Sequence, residues 1–175
     1  MDLKLNTHID VSEVNSSLEN FSDALRRAVE RGLTRATVLL RNAVQSNIRS
    51  PLGYKPPAVA FGWLANSITG EVYEEGKKQV GRVFVLPPAD QYGLFVELGT
   101  RPHWPSVSNL YPWVEIKFGL SDSEEIYKAA WSVAHAISQR GTRGHFMFQR
   151  ARDEHERDVL TILQEEISRS LAELN

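Results

Sequence analysis

Residues 3 to 11 place Leu3, Leu5, Ile9 and Val11 at odd positions with mostly polar residues between them, the two-residue period of a half-buried strand, interrupted mildly by Thr7. From about Ser12 the period changes. Leu18, Phe21, Leu25, Ala28, Val29, Ala36, Leu39, Leu40, Ala43, Val44 and Ile48 recur at steps of three and four, which predicts a long amphipathic helix. A run from about Ser16 to Ile48 extends roughly 50 Å at about 1.5 Å per residue. The alternative is a break near Gly32, because an interior glycine costs about 1 kcal/mol relative to alanine; one unbroken helix is preferred.

Residues 49 to 61, with Ser50-Pro51-Leu52-Gly53 and Pro56-Pro57, read as a loop. Gly62 to Ile68 reads as a short helical turn entering a strand. Residues 68 to 75 and 79 to 87 flank Glu75-Gly76-Lys77-Lys78 as a β-hairpin that Pro87-Pro88 ends. Asp90 to Leu98 is a short apolar helix, with Asp90 expected to cap its start and Gly99 its end. Two prolines keep Arg101-Pro102-His103-Trp104-Pro105 from continuing it, so that stretch is expected to be an exposed or interface loop. Tyr111 to Phe118 is short and apolar. A further helix follows Ser123 and stops at Gly141, and a last one runs from about Phe148 to Leu174 with Ala151, Val159, Leu160, Ile162, Leu163, Ile167, Leu171 and Leu174 as its apolar stripe. The expected fold is α+β: a small antiparallel sheet, formed by the N-terminal strand and the central hairpin, packed by the long N-terminal helix and the C-terminal helices.

The length of 175 residues and 42% hydrophobic content suit one compact domain with a real core. With 20 Lys and Arg against 22 Asp and Glu, the chain lacks the overall excess of cations that general phosphate binding needs. The absence of cysteine excludes disulfides, thiolate nucleophiles and thiolate zinc sites, and fits a reducing cytoplasm. No apolar run approaches the roughly 20 residues of a bilayer span, and Met1 to Asn6 lacks a leader pattern, so synthesis in the cytoplasm and no membrane association are expected.

Candidate chemistry is sparse. His8, His103, His135, His145 and His155 show no paired metal-ligand spacing, and no nucleophile elbow, phosphate loop or dinucleotide fingerprint occurs. The acid pairs Glu74-Glu75, Glu124-Glu125 and Glu165-Glu166 read as solvated. Glu97 differs, being a single acid within Leu94-Phe95-Val96-Glu97-Leu98. A partly buried carboxylate needs a donor: either local backbone hydrogen bonds or an arginine, the preferred reading, or an arginine of a neighbouring subunit. Gly99-Thr100-Arg101-Pro102-His103 and Gly141-Thr142-Arg143-Gly144-His145 share Gly-Thr-Arg-x-His. Side by side they would gather Arg101, His103, Arg143 and His145 into a basic cluster, although two ordinary glycine helix stops explain the likeness more simply. Arg27, Arg31 and Arg35 recur every four residues and read as partners for the acidic last helix. Among the tryptophans, Trp131 is assigned to packing and Trp104, between prolines, to an interface, with Trp63 and Trp113 as further anchors.

At Tyr92-Gly93-Leu94-Phe95-Val96-Glu97-Leu98-Gly99-Thr100-Arg101-Pro102-His103 the chain resembles the tail-completion or head-tail joining proteins of long-tailed bacteriophages, also labelled neck or minor tail components. Their signature is an aromatic-rich short helix ending in Val-Glu-aromatic-or-Leu-Gly-Thr, followed by a Pro/His loop. The preceding long helix, the Gly62 to Ile68 lead into a hairpin, and Gly141-Thr142-Arg143-Gly144-His145-Phe146-Met147-Phe148 before the last helix follow the same order. The likeness covers most of residues 12 to 170, departing at Leu98, where an aromatic is commoner, and at a helical insertion of about 111 to 140 within a single domain spanning 1 to 175.

What the resemblance implies is a virion structural protein without a catalytic centre or cofactor, made in the host cytoplasm. It would join the tail tube to the head connector as part of a homo-oligomeric ring. Expected neighbours are other copies of itself, tail terminator or tail tube proteins and head connector proteins, with DNA passing through the channel without sequence-specific binding. Tyr92, Phe95, Glu97, Gly99, Thr100, Arg101, His103, Trp104, Arg143 and His145 are the expected contact residues. The alternative is a metal-dependent hydrolase or nuclease using Glu97, His103 and His145. A third possibility, a DNA-binding module using the arginine stripe, predicts steep salt dependence.

Overall fold

The structure, a computed structural model, describes residues 12–49, 58–76 and 78–173. The expected strand over 3 to 11 lies outside the described residues. Helix α1 runs unbroken over Ser12–Arg49, so Gly32 does not interrupt it. The glycine serves a close approach instead: a Cβ there would stand 2.8 Å from Leu163 Cδ2 and 3.4 Å from Leu163 Cα on the last helix, α6 (Met147–Ala172). The two helices pack antiparallel, Asn47 Nδ2 donating to the Met147 carbonyl at 3.1 Å near one end and Ser170 Oγ to the Ala24 carbonyl at 3.2 Å near the other.

The loop expected over 49 to 61 is shorter than its prolines suggest. Its residues 50–57 lie outside the described ones, and from Ala58 the chain is already helical in α2 (Ala58–Asn66). The mostly apolar run Ala58-Val59-Ala60-Phe61 carries no breaker, and Leu64 and Ala65 bury against Val44 and Ile48 in the main core.

The hairpin forms as expected, β1 (Ile68–Glu75) against β2 (Lys78–Val85), with Ile68 opposite Val85 and Glu75 opposite Lys78. Its inner face lies on α1 because two residues there have no side chain. A Cβ on Gly70 or Gly81 would come within 2.3 Å or 2.7 Å of the Thr37 side chain. On the outer face Arg82 bonds Glu71 at 2.7 Å and stacks between Phe84 and Tyr73.

Helix α3 spans Asp90–Leu98, as predicted, but Asp90 is its first helical residue and not its cap; Ala89 holds that position and no side chain caps it. Next come a 3₁₀ turn (Ser108–Leu110), α4 (Tyr111–Phe118) and α5 (Ser123–Arg140). Pro112 opens α4, where a missing N–H is harmless, and Asp122 caps α5 by accepting the Glu124 and Glu125 amides at 2.9 and 3.0 Å. Val114, Ile126 and Ala130 form a second apolar cluster, separate from the one around Ile48, Leu64 and Met147. The fold is α+β and mostly helical, with two small antiparallel two-stranded sheets among the described residues.

The second of these sheets was not expected. It is the pairing of β3 (Gly99–Thr100) with β4 (Thr142–Arg143), Gly99 opposite Arg143 and Thr100 opposite Thr142. The two Gly-Thr-Arg-x-His loops therefore lie side by side, and their likeness is more than two independent helix stops. Gly99 and Gly141 do end their helices, at φ +77° and +70°, yet a Cβ on either would also strike the opposite strand, 2.3 Å from the Thr142 oxygen and 1.9 Å from the Thr100 oxygen.

Candidate assembly surface

The paired loops fix the surroundings of Glu97. The His145 amide donates to the Val96 carbonyl at 2.9 Å and the Phe146 amide to the Glu97 carbonyl at 3.0 Å, so the chain entering α6 is laid along the end of α3. Both oxygens of the Glu97 carboxylate then accept the first amides of α6, from Phe148 at 3.0 Å and Gln149 at 3.1 Å. This is the local hydrogen bonding expected of a half-buried acid. An anion here also faces the positive end of the α6 dipole.

With Gly93, Val96 and Glu97 turned inward, the opposite arc of α3 carries Tyr92, Leu94, Phe95 and Leu98, grouped within roughly 160° of the helix circumference. Leu94, Phe95 and Leu98 are 61%, 56% and 60% exposed. Helix α3 is thus amphipathic in reverse, showing its bulky apolar residues to the outside and using a glycine against Val85 within. Partial burial pushes the Tyr92 hydroxyl pKa above its ordinary value.

Beyond β3 the Arg101 to Trp104 loop is exposed, as expected, and Arg143 on β4 is exposed too. His103 Nδ1 lies 2.9 Å from the Arg101 carbonyl within its own loop, and Thr100 Oγ1 lies 3.0 Å from Thr142 Oγ1 across the ladder. His145 is half-buried; burial lowers its pKa, the Arg150 charge lowers it further, and Glu97 opposes both. The ladder joins the two loops: His103 Nδ1 stays with the Arg101 carbonyl of its own loop, while the His145 amide reaches across to Val96 at the end of α3.

Trp104 is 53% exposed and meets Trp131 edge-to-face at 6.1 Å and His135 at 6.3 Å. Trp131 stacks on His135 at 5.4 Å. The assignment of Trp131 to the core is corrected: it is 45% exposed, because the buried face of α5 is taken by Ile126, Ala130 and Ala134. Trp63 is also exposed, whereas Trp113 packs in the second cluster beneath Lys117.

The Glu165-Glu166 pair is likewise not simply solvated. Glu166 is 2% exposed and receives Arg35 at 2.7 Å, Arg31 at 3.1 Å and Arg169 at 3.2 Å. Hydrogen bonds from Arg35 and Arg31 hold its carboxyl below the ordinary carboxylate range, against the opposite effect of burial. Two members of the arginine stripe are thereby engaged in helix packing, while Arg27 is exposed. On α6 itself, Leu160 and Leu171 of the predicted apolar stripe are exposed, and the buried face includes the polar residues Glu166 and Ser170 instead.

Two features left no clear mark in the sequence. Phe146 adopts a left-handed conformation, φ 49°, rare for a residue with a side chain, while its amide is held by Glu97. The burial of Glu166 was legible only in that Arg31 and Arg35 lie on one helical face. Among the described residues no group of three or more His, Cys, Asp or Glu side chains is placed to hold a metal ion, and no helix is long and apolar enough to cross a membrane. Comparison with models of protein families, with curated proteins and with solved structures finds no match.

Proposed function

We propose that this chain is a structural protein of the phage neck or tail, joining the tail tube to the head connector as one subunit of a ring. The resemblance in the Tyr92 to His103 segment and the order of elements around it motivate the reading. The observation that carries it is the reversed amphipathicity of α3. Burying a leucine or phenylalanine side chain is worth about 1.5–3 kcal/mol, so a nine-residue helix that leaves Leu94, Phe95 and Leu98 outside forgoes much of the stabilisation it could have provided within the monomer. Such a face is stabilised when a neighbour covers it. Its support by Glu97 and the β3–β4 ladder makes it a rigid surface, which lowers the ordering cost of association.

In this reading the other partners are the tail terminator or tail tube and the head connector, DNA passes without sequence-specific contact, and the chain acts without cofactor or bond-making chemistry. The test is the paired substitution Leu94→Ser and Leu98→Ser. The expected outcome is a folded, more soluble monomer that no longer assembles in solution and no longer joins tails to heads when supplied to defective particles. Normal particle size and normal joining would remove the basis for the proposal.

A further inference from the structure

Two sets of exposed apolar side chains cluster, and they stand on different elements. The first is the α3 arc of Leu94, Phe95 and Leu98. The second is aromatic. Tyr127 and Trp131, both exposed, are four residues apart and so share one face of α5, and Trp104 reaches Trp131 from its loop. The buried side of α5 is filled by Ile126, Ala130 and Ala134, so Trp104 and Trp131 lean on each other at the surface without filling the core beneath. Exposed tryptophan and tyrosine contribute most when a partner chain covers them and removes them from water.

The β3–β4 ladder sets the two faces apart. Gly144 closes on Glu97 and Leu98, at the α3 end of β3, whereas Gly141 closes on Thr100 and Arg101, at the other end. Helix α5 thus joins the ladder at the end away from α3, and Trp131 lies ten residues before Gly141, about 15 Å along a helix at 1.5 Å per residue. One copy therefore presents both faces at once. Their charges differ in sign. Over residues 86–98 the charged side chains are Asp90 and Glu97, and Glu97 is committed to the α6 amides, which leaves the exposed Asp90 carboxylate beside the aliphatic arc. Residues 99–114 and 126–143 contain no acid and carry Arg101, Lys128, Arg140 and Arg143, all exposed; Lys128 is paired with Glu124 at 2.6 Å.

We infer that the α3 face of one copy seats on the Tyr127, Trp131 and Trp104 face of the next. The inference rests on the self-assembly proposed above and names the two surfaces that meet. Pairing of α3 with α3 would bring two Asp90 carboxylates to one contact with no cation on either face, and an isologous contact closes at two chains. Pairing of α3 with the aromatic face brings the acid toward a cationic surroundings and leaves each copy with one face of each kind to offer. That contact is heterologous, which is the geometry that closes a ring of more than two.

Complementation between two variants of the full chain tests the pairing. Leu94→Ser with Leu98→Ser removes the aliphatic face and keeps the aromatic one; Trp104→Ala with Trp131→Ala does the reverse. Each variant alone is expected to sediment as a monomer with the wild-type circular dichroism spectrum. Their equimolar mixture is expected to give a particle of two chains, one of each kind, and nothing larger, because the pair has no intact complementary faces left. A mixture that stays monomeric while the wild type assembles overturns the pairing and leaves the ring reading standing, as does undiminished assembly of the tryptophan variant by itself. Undiminished assembly of the leucine variant, or a wild-type chain that stays monomeric at millimolar concentration, overturns both. The natural absence of cysteine supplies a second measurement that keeps most of each face. Leu94→Cys and Trp131→Cys, placed together in one chain, are expected to give a ladder of covalent multimers with a short bismaleimide, and neither single variant is expected to cross-link. Linked pairs from a single variant, or an assembled sample without cross-links, overturn the inference.

Discussion

Glu97 closes the start of one helix from the end of another, and this dual position explains why a carboxylate sits inside an otherwise apolar run. Its two oxygens hold the Phe148 and Gln149 amides, so Glu97→Ala should cost about 1 kcal/mol, the usual value of a lost helix cap. Glu97→Gln, which keeps one accepting oxygen, should cost less; urea denaturation of the two variants measures both. Equal losses in both would mean that the charge, not the accepting geometry, matters. Glu166 provides a second test. Its folded-state pKa lies below the unfolded one, so its contribution to stability is full above the ordinary carboxylate range and is lost as pH falls through the folded value. Glu166→Gln is expected to lower the thermal midpoint at neutral pH and to flatten its decline on acidification; an identical acid-side slope in wild type and variant would count against this role. Neither behaviour was readable from residue type alone. The sequence marks Glu97 by its apolar neighbours, but Glu166 sits in an unremarkable acidic pair and acquires its environment only when Arg31 and Arg35 of a distant helix face it.

At the scale of elements, periodicity and breakers located α1, the hairpin, α3, α5 and α6 to within a few residues, since each repeats one dominant period over enough positions to be unambiguous. How they touch depends on glycines whose purpose periodicity does not reveal. Gly32 looked like a possible break and instead admits Leu163; Gly70 and Gly81 look like weak points in strands and instead make room for Thr37. Gly70→Ala should therefore destabilise the protein by about 1–3 kcal/mol through overpacking. Adding Thr37→Ala should recover a substantial part, because the clash is with that side chain. A double-mutant cycle reads the coupling, and strict additivity would show that the hairpin is not seated as described. The β3–β4 ladder belongs to the same class. Two residues per strand are too few for any strand pattern, so only the repeated Gly-Thr-Arg-x-His hinted that distant loops meet.

On the scale of the whole molecule, several large apolar residues lie at the surface, Trp63, Leu94, Phe95, Leu98 and Trp104 among them. Trp104 rests against Trp131 and His135 at the surface and so adds little to the core. Trp104→Ala is expected to leave the circular dichroism spectrum and thermal midpoint nearly unchanged while weakening assembly by about tenfold or more, the scale of an aromatic interface anchor. Sedimentation across a concentration series reads this directly; unchanged association would assign the cluster to local packing. The second apolar cluster, formed by α4 and α5, gives the segment from about 111 to 140 a core of its own. Its buried residues are thus distinct from those that join α1 to α6.

By itself the sequence determined the long helix, the hairpin, the positions of the stops, the lack of thiol chemistry and the balance of charge, because these follow from local period and composition. Tertiary structure alone decided that Glu166 is buried among arginines, that Trp131 is exposed, that the two glycine-threonine loops pair and that α3 turns its apolar side outward. Each depends on which surface meets a given side chain across a long separation in sequence. A periodic pattern shows that a helix has two faces, but only the neighbouring elements select the one that is covered.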